Sequence, residues 1–244
     1  WALVIGHFPH MLTSIILLPF LAALVILFTP RNYRVVFRGV ALLATFGSML
    51  LATKMFLGYD SATTGVGGYK FIERAEWVKD HGINYFVGVD GINVGLIFMG
   101  AIVAFAAVCV SWEIKTNDKL YYILLMFMTG GILGAFASLD LFFFYAFHEF
   151  ALIPTFIMIG VWGRGEKKNY ATFQITLYLS IGALIALIGL IALYLQSGAN
   201  TFHMVKLTEH IRQNPLSAKA QNFIFPLLLF GFGILVSLWP FHTW

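Results

Sequence analysis

Charge is scarce in this sequence. Lys, Arg, Asp and Glu make up 11% of the 244 residues, whereas 60% are hydrophobic and 17% aromatic. Soluble domains carry about 25% charged residues, so this composition cannot cover a water-facing surface. Fifteen Lys and Arg against eleven Asp and Glu leave a net charge of +4. Scattered over separate loops, that charge argues against a nucleic-acid partner. Cysteine is nearly absent as well: Cys109 is the single one, and it sits in an apolar run. That excludes an internal disulfide framework and any four-thiolate metal or iron–sulfur site. No Gly-rich nucleotide loop follows a strand. His7 and His10, the one close histidine pair, precede the first apolar run and supply no haem pair on facing helices. Read from its residues, the chain carries no electrons. It opens at Trp1 without a Met, and no stretch reads as a basic segment with a cleavage site; a piece of a longer polypeptide, or a chain lacking its first residues, is expected.

What the sequence has in abundance is apolar length. About 20 apolar residues cross about 30 Å of hydrocarbon as a helix. Seven stretches qualify: Leu12–Phe28, Val35–Leu57, Ile92–Trp112, Leu120–Ser138, Leu141–Trp162, Tyr170–Leu195 and Phe223–Trp239. They are continuously apolar rather than alternating, which favours helices over barrel strands. The expected fold class is all-α, a polytopic transmembrane bundle of about seven helices with a broken seventh helix. It forms one membrane domain over residues 1–244, surrounded by the lipid bilayer.

The loops set an orientation. Arg31, Arg34, Arg38, Lys115, Lys119, Arg164, Lys167 and Lys168 lie in or beside three short connections, where basic residues mark the cytoplasmic side. The N-terminus is therefore expected outside. The long connection 58–91 holds Gly65-Val66-Gly67-Gly68 and mixed charges, and is expected to cap the outer face. Gly130, Gly131 and Gly134 in the fourth span, and Gly182, Ala186 and Gly189 in the sixth, fit close helix packing through small residues.

Ten of the eleven acids lie in loops or at span ends. Glu149 does not. It stands about eight residues, or about 12 Å of helix, from the nearer end of its span. A charge at that depth costs about 2.5–3.5 kcal/mol on insertion scales, so such a residue faces the bundle interior or a wet cavity and is by default a proton- or ion-handling group. Pro154, five residues on, cannot donate to the Phe150 carbonyl and leaves that acceptor free beside Glu149. His148 precedes Glu149 but projects about 100° away around a helix. It is a candidate second proton carrier, because imidazole exchanges protons near neutrality. Near the end, Pro240 stops the seventh helix, with Ser237 three residues before it.

The segment Phe147-His148-Glu149-Phe150-Ala151-Leu152-Ile153-Pro154, followed by Ile159-Gly160-Val161-Trp162-Gly163, resembles the fifth helix of the antiporter-like subunits of respiratory complex I. Gly88-Val89-Asp90-Gly91-Ile92, Lys168-Asn169-Tyr170-Ala171-Thr172 and Pro240-Phe241-His242-Thr243-Trp244 are similar to further stretches of that family. Within it, the chain is most similar to the M chains of bacterial NADH–quinone oxidoreductase, the counterparts of mitochondrial subunit 4. The family's chains are about twice as long, so this sequence corresponds to an N-terminal half. The rest is unseen, or a second polypeptide supplies it.

The resemblance implies a proton-translocating membrane-arm subunit in a bacterial inner membrane, with Glu149 as the fifth-helix glutamate. Other membrane-arm subunits of complex I are the implied partners. FMN, iron–sulfur clusters and quinone are expected in partner subunits, and no cofactor or metal in this chain. The alternatives are a subunit of a multi-chain sodium/proton antiporter or membrane-bound hydrogenase, or an inactive scaffold. The family's lysine on the broken seventh helix falls at Leu235, and its proline two residues later at Ser237. Glu149 thereby loses its expected counter-charge. A lysine on an eighth helix takes over, His148 substitutes, or this half-channel is idle.

Overall fold

A computed structural model describes residues 10–60 and 67–243. His7, Gly65, Val66 and Trp244 of the sequence reading lie outside the described residues. Where the chain is continuously apolar it forms the helices expected of it: α1 (Met11–Phe28), α2 (Arg34–Leu57), α3 (Asn93–Val110), α4 (Asp118–Ala137), α5 (Leu141–Trp162) and α6 (Lys168–Ser197). A short α7 (Met204–Gln213) and a last long helix, α8 (Ala218–Leu235), complete the order. Seven of these eight are long and apolar enough to cross a membrane. The chain is a polytopic transmembrane helix bundle.

The last span departs from its expected limits of Phe223–Trp239. Residues 218–222, Ala-Lys-Ala-Gln-Asn, are compatible with helix without being continuously apolar, and Ser217 Oγ accepts the Ala220 amide at 3.3 Å to start the helix early. The helix stops at Leu235 because Ser237 takes a left-handed φ of 59° that no helix continues through. A turn at Phe241–Thr243 follows. It docks on α6, where Gln174 Nε2 donates to the Thr243 carbonyl at 2.9 Å and Thr243 Oγ1 lies 3.2 Å from the Tyr178 hydroxyl. The expected break of the seventh span is present, but it comes at Leu235 through Ser237 rather than at Pro240.

The long connection between α2 and α3 is not a plain loop. It folds into an antiparallel hairpin of β1 (Lys70–Val78) and β2 (Ile83–Val89). The turn needs Gly82, at φ 64°, where a Cβ would collide with the Asn200 carbonyl oxygen. The hairpin lies over one end of the bundle. Glu73 reaches the start of α1, accepting the Leu12 and Thr13 amides at 2.7 and 3.0 Å, a carboxylate placed where the helix dipole favours it.

Small residues set the helix spacing. A Cβ on Gly131 would lie 2.6 Å from the Ala151 amide nitrogen, and one on Gly134 would lie 2.5 Å from the Phe147 ring. The α4–α5 backbones touch there. On the other seam, Gly182 meets Ile234, Gly189 meets Leu228, and Gly231 meets Ala186. The six small residues read from the sequence all serve as helix contacts, as small-residue packing requires in lipid. One buried cluster runs from Leu12, Ile15 and Ile16 through Val87 and Ile97 to Leu133 and Phe147. It joins α1 and α4 to the hairpin and to α5.

Candidate functional site

The helix that carries Glu149 is fixed at both ends. At its start, Asp140 Oδ1 accepts the Phe142 and Phe143 amides at 3.0 and 3.3 Å. The other oxygen, Oδ2, accepts the Asn84 amide of β2 at 3.1 Å. Asp140 is fully buried, and burial pushes its carboxyl above the usual aspartate value against those three bonds. At the far end, Trp162 Nε1 donates to the Thr116 carbonyl at 2.7 Å. Between these ends, Phe147 and Pro154 are the buried residues of α5, and its closest backbone approach is to α4 at Gly131.

Glu149 stands in the middle of this helix with its side chain 26% exposed. Its Oε1 is buried without a hydrogen-bond partner. An orphaned carboxylate oxygen costs about 1–3 kcal/mol or more in a dry site, and this depth offers little compensation. The nearest cationic candidate is His148, whose Nδ1 lies 3.6 Å from Oε1. The sequence reading set the two residues about 100° apart around the helix. The side chains nevertheless approach each other to that distance. Tyr145, one turn earlier, faces the same carboxylate and donates its hydroxyl proton to the Ala183 carbonyl of α6 at 3.2 Å. Sequence reasoning passed over Tyr145. Its signal is the i−4 spacing to Glu149, which puts both on one helix face.

The end of α8 lies close by. Phe144 of α5 meets Phe232 of α8 with ring centres 6.1 Å apart. Ile234 packs on Gly182, next to the Ala183 that receives Tyr145. Leu235 is the last residue of α8, half-buried and apolar. The turn after it carries Ser237 in a conformation closed to proline, whose ring holds φ near about −65°. Leu235 and Ser237 thus depart together from the pattern that the resemblance implies, one in charge and one in backbone. Among the described residues, no three His, Cys, Asp or Glu side chains gather to hold a metal ion.

Residues 138–244, which include Tyr145, His148, Glu149 and Leu235, match the family described as NADH:quinone oxidoreductase/Mrp antiporter, transmembrane. NAD(P)H-quinone oxidoreductase chain 4 of Gloeobacter violaceus is 29% identical over 233 residues, 96% of this chain and 42% of that one. NADH-quinone oxidoreductase subunit M of Rhodobacter capsulatus is 29% identical over 212 residues, 84% of this chain and 40% of its own. This chain is similar to the M and 4 subunits. A chain of respiratory complex I from Thermus thermophilus has the same fold, with a TM-score of 0.79 and 27% identity over 96% of this chain and 45% of that one. The antiporter-like resemblance thus extends over nearly the whole sequence, while the chain spans less than half the length of these relatives.

Proposed function

We propose that this chain is a proton-translocating membrane-arm subunit of a respiratory NADH–quinone oxidoreductase, and that Glu149 is its proton-carrying group. The observation that carries this reading is the buried, unpartnered Oε1 of Glu149, midway along a membrane helix, beside His148 Nδ1 at 3.6 Å. A carboxyl next to an imidazole can pass a proton in either direction as its surroundings change. His148 acts as the second carrier, and the Tyr145 hydroxyl ties the Glu149 turn to α6. Quinone reduction takes place in partner subunits, which supply FMN, iron–sulfur clusters and quinone. Residues 1–244 act as one membrane domain, the N-terminal half of an antiporter-like subunit. The completing half is further sequence or a second polypeptide. The likeness to bacterial subunits favours a bacterial inner-membrane placement, and the basic connections at Arg31, Lys115, Arg164 and Lys167 favour an N-terminus outside.

The test is Glu149→Gln in the assembled complex, reconstituted into vesicles. The expected result is fewer protons moved per NADH oxidised, with assembly intact. An unchanged proton yield overturns the reading. A second reading rests on Leu235: without the lysine of the resemblance, the bundle serves as a scaffold, and Glu149→Gln leaves transport untouched while changes at Gly130 or Gly134 disturb assembly. Isolation with antiporter chains alone, without flavin and iron–sulfur partners, would instead place the subunit in a sodium/proton antiporter.

A further inference from the structure

At the end of the bundle opposite the hairpin, a cavity of about 700 Å³ opens between two turns. It is walled by the end of α1, the α1–α2 turn, the α3–α4 turn and the start of α4. Arg31, Arg34, Lys115 and Lys119 converge on it, with Asp118 as the one carboxylate in the wall. Arg34 Nε pairs with Asp118 Oδ2 at 3.1 Å, and Lys119 Nζ donates to the Leu27 carbonyl at 2.8 Å. Arg31 and Lys115 have no ion pair or hydrogen bond among the described residues. Two positive charges therefore face the cavity without an ion pair among the described residues, the one carboxylate in the wall being taken by Arg34.

The backbone adds to this field. Helix α2 begins at the cavity, at Arg34, with no side-chain cap, whereas at the start of α4 the Asp118 carboxylate already accepts the Lys119 amide at 2.9 Å. An uncapped helix start presents free N–H groups and a positive dipole end. The cations and the α2 start together make a receptor for a phosphate-type anion. The mouth decides where that anion comes from. It lies where α1 ends and α2 and α4 begin, the depth of lipid headgroups. Beside it, Phe28 and Val35 are 78% and 76% exposed, and they continue the apolar wall that acyl chains cover. Basic pockets between membrane helices at this level hold anionic headgroups.

We propose that this cavity is a binding site for the phosphate headgroup of an anionic membrane lipid, with Arg31 and Lys115 as its principal ligands. Arg34 and Lys119, already held by Asp118 and Leu27, shape the site more than they bind.

Native mass spectrometry tests the proposal on the full chain in the assembly in which it is purified, delipidated in uncharged detergent. The probes are phosphatidylglycerol, phosphatidylcholine and inorganic phosphate. The expected result is retention of phosphatidylglycerol, with phosphatidylcholine at least about tenfold weaker because it brings no net charge. Each lost cation is expected to weaken binding about fivefold, and the R31Q/K115Q pair about 25-fold. Both side chains are exposed, so the pair leaves the fold intact. K219Q, at the other end of the bundle, leaves binding unchanged. Equal retention of the two lipids, or full retention by R31Q/K115Q, overturns the proposal. Displacement of phosphatidylglycerol by millimolar inorganic phosphate also overturns it, in favour of a small-anion site.

Discussion

The Asn84 amide and the Asp140 carboxylate meet at 3.1 Å, away from water, and join the hairpin to the first turn of α5. One side chain thereby does two jobs: it caps the helix that carries Glu149 and it anchors β2. The backbone pairing of Asp140 with His203 adds the segment before α7 to the same knot.

Replacing Asp140 by Ala removes an N-cap and strands the Asn84 N–H. These losses sum to about 2–4 kcal/mol. Thermal unfolding in detergent checks the cost, which is expected to exceed that of Asp140→Asn, because Asn keeps one acceptor oxygen.

His203 caps α7, its Nδ1 accepting the Lys206 amide at 3.3 Å, and its ring packs on Phe86 at 4.2 Å. Burial holds its pKa below the usual 6.5, and the Lys206 and Arg74 charges push the same way. The neutral imidazole belongs to the fold. Its contribution is therefore complete above pH 6.5 and lost as pH falls through the lower folded value. The protection factors of the Lys206 and Leu207 amides, referred to the intrinsic exchange rate at each pH, are expected to fall below pH 6.5, and His203→Gln flattens that dependence.

Tyr85 reports on the opposite end of the scale. Its hydroxyl lies 2.9 Å from Thr13 Oγ1. Burial, with help from the Glu73 charge, pushes its pKa from 10.0 up to about 12. The folded state keeps the proton longer than the unfolded chain does. This contribution is intact below pH 10 and lost as pH rises through about 12. Ultraviolet titration of phenolate is expected to show a late component that disappears in Tyr85→Phe.

Gly131→Ala forces a methyl group against the backbone of α5 at Ala151. Helix has to move from helix, at a cost of about 1–3 kcal/mol. Gly39→Ala in α2, with open space around the new methyl, is the control and is expected to be neutral or stabilising. Comparing the two melting temperatures checks the contrast.

The membrane helices were legible because lipid demands long apolar runs, and six of the seven fall within a few residues of the expected limits. The hairpin was hidden. β1 carries Lys70, Glu73, Arg74 and Glu76, and register shifts interrupt its pairing, so no clean alternation marks it. Helix α7 was hidden by its shortness and by burying one residue, Leu207. The position of Glu149 was plain from a lone acid in an apolar run. Its bare Oε1, the approach of His148 and the tether through Tyr145 were not, because each depends on side-chain rotation that periodicity does not encode. Asp140 passed unnoticed because an acid at a span end reads as ordinary surface chemistry.

With Asp140 pinning one end of α5 and Trp162 the other, the helix cannot slide along the membrane normal. Between those pins it rests against α4, backbone to backbone at Gly131 and ring to glycine at Gly134. The Glu149 carboxyl lies near the midpoint between them, so the two pins together set the depth at which the one acid in the middle of a membrane helix stands.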